Sequence, residues 1–323
     1  MIPRPARFAA LILLLSLAAT VLRADPPPWL GEFPGQDWQS AAVDLSTIRS
    51  GGPPRDGIPA LDAPRFIDAA TETRIDGREP VLTLEMGGEA RAYPIRYLIW
   101  HEIANDTVAG VPVAVTYCPL CNSAMVFDRR LDGKVLSFGV SGRLRQSDMV
   151  MYDRQSESFW QQALGQGIVG RHAGRDLTQL PAWMEDFATF RTRNPDGRVM
   201  DEPDWRRAYG RNPYAGYDSG RPFLYTGEDP PHGIDPLERV VRVGNRAWPF
   251  ARLFTAGEID EAGVTIRWEA GQASALDSAR IAEGRDVGRV RVQDERGRDL
   301  PHDLLFAFAF HAFWPEGIWM LGN

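Results

Sequence analysis

The sequence predicts a mainly β protein of the α+β kind, with a few helices, built from two related β-rich halves. Three observations predict it. Glycine (31) and proline (25) are plentiful in a chain of 323 residues, which favours turns and strands over a helical bundle. From Pro80 onward, apolar runs alternate with turn formers, the strand pattern. A tetrapeptide also recurs: Arg91-Ala92-Tyr93-Pro94 returns as Arg246-Ala247-Trp248-Pro249, and Leu253 falls where Leu98 does.

The elements follow in chain order. Arg4 and Arg7 precede an apolar run from Phe8 to Leu22, and Leu22-Arg23-Ala24 offers a cleavage site before Asp25. Residues 1–24 therefore read as a secretory signal peptide. The run is about 15 residues, short of the roughly 20 that span a bilayer. No later stretch is long enough to span. The mature protein is expected to be soluble and periplasmic or secreted. Residues 25–60 form a Pro/Gly-rich arm, and 61–323 form the folded region. Val81 to Met86 and Glu89 to Pro94 make a hairpin across Gly87-Gly88. Val111 to Tyr117 is a further strand. Ser123 to Phe127 and Val135 to Val140 are expected to pair across Asp132-Gly133.

The first half covers about 78–172 and the second about 237–323, joined by an irregular segment at 173–236 that includes the aromatic stretch Tyr209 to Tyr225. In the second half Phe313-Trp314 matches Phe159-Trp160, which sets Ala307 and Phe308 opposite Asp153 and Arg154. Phe306, Phe310 and Phe313 have helical spacing and read as a core face. Formal net charge is −7 with no basic run in the mature region, so a nucleic-acid partner is excluded. An unknown small molecule or protein is the expected partner.

Both cysteines of the protein stand in Cys118-Pro119-Leu120-Cys121, directly after a strand. Such a turn brings two sulfurs within reach of one metal ion or of each other. Three readings follow. As a metal knuckle, the thiolates need further ligands, and His101 is the best candidate, giving a Cys118, Cys121 and His101 set for copper or zinc with an open fourth position. Glu102 or Asp106 would orient the imidazole. As a redox pair, Cys118 and Cys121 exchange thiols with a partner, although a strand follows them where a thioredoxin-type site has a helix. As an inert staple, they form a structural disulfide in a non-catalytic ligand-binding or scaffold protein. Asp148, Asp153, Arg154 and Glu157 form a polar cluster, in which Asp153 and Arg154 are candidate catalytic or anion-holding residues. Met125, Met149 and Met151 read as core. Gly165 to Gly170 matches G-x-G-x-x-G without the helix a dinucleotide site requires. Asn105-Asp106-Thr107 matches the glycosylation sequon.

Five motifs in order then carry a resemblance: His101-Glu102-Ile103-Ala104-Asn105-Asp106, Thr116-Tyr117-Cys118-Pro119-Leu120-Cys121, Phe138-Gly139-Val140-Ser141-Gly142, Met151-Tyr152-Asp153-Arg154 and Ser158-Phe159-Trp160. The chain resembles the prokaryotic family catalogued as domain of unknown function 3179, from about residue 60 to the end. The resemblance implies that the His-Glu, C-P-L-C and Y-D-R motifs belong to the family's pattern and that members are often exported. It implies no mechanism.

Overall fold

Alternating apolar and polar residues set this chain into strands. The computed structural model describes residues 28–322, so the signal-peptide reading at 1–24 lies outside them. Within them the protein is mainly β with four short α-helices. The expected hairpin joins Pro80–Met86 to Glu89–Pro94, with Gly87 and Gly88 at positive φ in its turn. The expected strand at Val111 runs Val111–Cys118. No helix among the described residues is long and apolar enough to cross a membrane.

Five small sheets carry the fold, which corrects the expectation of two packed halves. Sheet 1 orders Ile48–Ser50, Phe138–Arg145, Asp148–Asp153, Phe159–Gln161 and Gln166–Val169. Sheet 2 orders Gln179–Leu180, Ser123–Asp128, Val111–Cys118, Ile103–Val108 and Leu61–Asp62. Sheet 3 centres on the Pro80–Pro94 hairpin, sheet 4 on Arg239–Val243 with Arg246–Pro249, and sheet 5 on Val264–Glu269. Ser123–Asp128 pairs with Val111–Cys118 across the C-P-L-C turn, and not with Phe138–Arg145 as expected. The turn at Asp132-Gly133 closes only its own ribbon, Arg130–Leu131 with Lys134–Val135. The nearer turn wins because closing a shorter loop costs less entropy.

Sheets 3 and 4 share one plan. In sheet 3, Trp183–Asp186, Pro80–Met86, Glu89–Pro94 and Arg198–Met200 lie side by side, the last pair parallel. In sheet 4, Asp303–Phe306, Arg239–Val243, Arg246–Pro249 and Ile318–Trp319 repeat that order and those directions. Helices α1 (Ile95–His101) and α2 (Phe187–Arg193) follow strands of sheet 3; α3 (Phe250–Ala256) and α4 (Ala307–Phe313) follow the equivalent strands of sheet 4. The counterpart of α4 is thus α2, so Ala307 and Phe308 do not face Asp153 and Arg154. The expected match of Phe313-Trp314 to Phe159-Trp160 fails because Phe159–Gln161 is an inner strand of sheet 1. Of the three phenylalanines expected on one helical core face, Phe310 is buried on α4, Phe306 is buried at the end of the strand before it, and Phe313 is only partly buried.

One apolar core runs from Leu61 through to Phe310. A smaller cluster fastens the N-terminal arm to sheet 1. Phe33 is fully buried there and meets the rings of Tyr152 and Phe159 edge-on, at centroid distances of 5.3 and 4.8 Å, the arrangement that aromatic quadrupoles favour.

Asn105 joins sheets 1 and 2. Its Oδ1 accepts from the Phe138 amide (2.9 Å), while Nδ2 donates to the Phe138 carbonyl (2.8 Å) and to Asp62 Oδ1 (2.9 Å). Asn105 is buried and its amide nitrogen is occupied, so the sequon at 105–107 is not available to a glycan. Asn105→Ala strands two backbone groups of Phe138, and urea denaturation should show a loss of about 2–4 kcal/mol. A loss within the scatter of surface substitutions would show that other contacts hold the two sheets together.

Candidate metal centre

The strand Val111–Cys118 delivers Cys118 as its last residue, and Pro119, with fixed φ, turns the chain. Asn122 at φ 53° completes the turn, and its amide donates to the Pro119 carbonyl. Two contacts from distant parts of the chain hold this turn. The Phe306 amide donates to the Cys121 carbonyl (2.9 Å), and the Tyr217 hydroxyl donates to the Leu120 carbonyl (2.8 Å). Both cysteines are buried free thiols, which corrects the structural-disulfide expectation.

The third member of the group is Asp148, the first residue of Asp148–Asp153 in sheet 1. Cys121 Sγ donates to its Oδ1 at 2.9 Å. Its Oδ2 accepts from Gln161 Nε2 (2.6 Å) and from the Ala163 amide (3.1 Å). Ligand-type atoms of Cys118, Cys121 and Asp148 all lie within 4.8 Å of one another. Sequence reasoning placed Asp148 in a polar cluster and missed it as a partner of the thiols. The usable signal was a carboxylate opening the apolar run Met149-Val150-Met151.

His101 is not in this group. Its Nδ1 donates to the Pro59 carbonyl and its Nε2 accepts from the Tyr209 hydroxyl, both at 2.7 Å. Burial holds its pKa down, against the pull of the Pro59 carbonyl, so the ring is neutral. Neither nitrogen is left for a metal. Asp106, once a candidate to orient that ring, accepts instead from Arg91 and Tyr93. Asp153 and Arg154 also part company. Asp153 accepts from the Ser156 amide (2.7 Å) and from Trp160 Nε1 (3.0 Å), while Arg154 pairs with Asp62 at 2.8 Å. Neither is hydrogen-bonded to the thiols. Met125, Met149 and Met151 are buried in the core, as expected. Gln166, Gly167, Ile168 and Val169 form a strand, so the glycine pattern there is not a phosphate loop.

Glu102 replaces its neighbour His101 as the residue of interest. It ends α1 at φ 58° and ψ −32°, and its amide donates to the Leu98 carbonyl. The equivalent residue at the end of α3 is Gly257, at φ 73° and ψ −50°. Glycine occupies such backbone cheaply and a side chain does not. Glu102 is 8% exposed and lines a cavity of about 320 Å³. The cavity also passes Leu120, between the two cysteines, and Met149, next to Asp148. The aromatic segment covers it with Tyr214, Tyr217 and Phe223.

The electrostatics are one-sided. Burial pushes both thiols up, and Cys121 well above the ordinary cysteine value. Burial raises Asp148 to about 6, opposed by its bond from Cys121. Burial, helped by the Asp148 charge, raises Glu102 to about 8. Burial shifts each of these groups toward its neutral form, so that the thiols and Glu102 are the most nearly neutral and Asp148 the least. A bound cation opposes those shifts by favouring all the deprotonated forms at once.

Both carboxyls have folded pKa values above their unfolded ones, so their stabilisation is full below pH about 4 and is lost as pH rises through about 6 and about 8. Metal-free protein should therefore lose about 3 kcal/mol or more between pH 4 and 8. Glu102→Gln should flatten the part of that curve above pH 6, measured by urea unfolding in chelator. A flat wild-type curve would show that the two carboxyls remain well hydrated.

No curated protein and no solved structure matches the chain. One family model does, over residues 55–317, which include the turn, Asp148, Glu102 and the segment that covers them. The chain belongs to the family described as protein of unknown function (DUF3179).

Proposed function

We propose that this protein binds one divalent transition metal through Cys118, Cys121 and Asp148. The observation that carries this is the clustering of three buried ligand-type groups within 4.8 Å, none of them in a salt bridge among the described residues. Two thiols and a carboxyl make an expensive arrangement when empty of charge and a favourable one around a cation. On binding, each thiol gives up its proton and the ion takes two thiolates and one carboxylate oxygen. Two S and one O suit zinc; copper(I) would favour a third soft donor. Three protein donors leave a fourth position of a tetrahedral ion for water or a substrate atom, which is the pattern of catalytic rather than closed structural zinc sites.

Dithiol exchange fits less well. A reactive cysteine needs a lowered pKa and access to its partner. Here both thiols are shifted upward, and exposure is 1% for Cys118 and 0% for Cys121. Periplasmic location is part of the same proposal and rests on the charged start and apolar run of residues 1–24. The shared plan of sheets 3 and 4 supports a common origin for the two regions, while the thiols and Asp148 come from sheets 2 and 1.

Protein purified without chelator or affinity metal should carry about one zinc per chain by mass spectrometry, and its thiols should react only after chelation. Cys118→Ser and Asp148→Asn should each weaken retention about 100-fold or more, in competition with a chromophoric chelator. Unchanged stoichiometry in the double Cys118→Ser/Cys121→Ser variant would overturn the proposal.

A further inference from the structure

The cavity beside the thiols has its own polar group. Glu102 is more than nine-tenths buried and faces the cavity, and its carboxylate accepts no hydrogen bond among the described residues. A carboxyl that lines a cavity and has no protein partner is open to a donor that arrives from outside. The other charged residue of the wall, Arg143, is partly engaged, with its Nε buried and unpartnered. Its Nη2 is ion-paired to Glu32, and its guanidinium lies over the Trp29 ring at 5.1 Å.

The rest of the wall is apolar or aromatic. Ile58, Val140 and Leu144 supply aliphatic surface, and Tyr214, Tyr217 and Phe223 supply rings. Aromatic faces attract a cation through their quadrupoles, more strongly where water is excluded. The volume of about 320 Å³ lies at the small end of ligand pockets. Phe223 is 46% exposed, which places it at the mouth.

We infer that this cavity binds a small primary amine with an aromatic or aliphatic body, its ammonium donating to Glu102 and its body resting on Tyr214, Tyr217 and Phe223. The cavity borders the metal ligands at Leu120 and Met149, but Glu102 is not one of the three clustered donor groups. Positive φ at Glu102, where the corresponding residue of the second region is glycine, is the conformational cost of aiming a carboxylate into this space.

The test is calorimetric titration of the protein as isolated with 2-phenylethylamine and with its neutral isostere 2-phenylethanol. The amine should bind about tenfold tighter than the alcohol. Glu102→Gln should abolish that preference while retaining the wild-type metal content. Phe223→Ala, a change at the exposed mouth that leaves the core intact, should weaken the amine about three- to tenfold. The double Cys118→Ser/Cys121→Ser variant should keep the amine even where it loses metal, which separates this site from the metal centre. Equal affinity for amine and alcohol would overturn the inference, as would a preference that survives Glu102→Gln. Joint loss of metal and amine in Glu102→Gln would also overturn it, because Glu102 would then be a metal ligand.

Discussion

The burial of acidic groups without a cation is the constraint around which this protein is built. Cys118, Cys121, Asp148 and Glu102 are all taken out of water, and none of them forms a salt bridge among the described residues. Removing a carboxylate from water costs several kcal/mol unless something compensates. A chain that spends stability in this way needs a scaffold that holds the groups in place against their tendency to escape to solvent. The turn is accordingly clamped by Phe306 from one side and Tyr217 from the other. Asp148 is pinned by Gln161 and by the Ala163 amide.

Comparison of sheets 3 and 4 isolates what the site adds. Both regions have a hairpin, a seven-residue helix and a reversal at positive φ. In the second region the reversal is glycine, with no side chain to aim. In the first it is a glutamate whose side chain enters a cavity. The backbone plan was therefore compatible with a relaxed residue at this point, and the strained one is explained by what its carboxylate does. His101, one residue earlier, serves the scaffold. It ties the arm at Pro59 to the aromatic segment at Tyr209, so the cover over the cavity is fastened through a neutral imidazole.

Much of the fold was legible in the sequence. The β character, the hairpin at Gly87-Gly88 and the strand into Cys118 follow from apolar runs bounded by turn residues, which are local signals. The pairing of Ser123–Asp128, the five-sheet arrangement and the sheet 4 counterparts depend on which strands meet, and that is decided by contacts far apart in the chain. The site divides in the same way. Cys118 and Cys121 declare themselves by spacing. Asp148 arrives from a neighbouring sheet, and no spacing rule links it to the thiols. His101 misled because closeness in sequence stood in for closeness in space. Its two ring nitrogens were already committed to Pro59 and Tyr209, contacts that only the folded arm and the aromatic segment provide.

The Phe306 clamp has a consequence for the order of assembly. A chain synthesised or threaded N-terminus first presents its two cysteines long before Asp148, Tyr217 and Phe306 emerge. Until Phe306 is in place, the turn lacks the hydrogen bond to the Cys121 carbonyl, and the thiols lie open to oxidants and to any passing ion. The Phe306 part of the closure over the cysteines therefore waits for the C-terminal strand Asp303–Phe306. Under the proposed function, an ion bound at this turn would be the one present where that clamp closes.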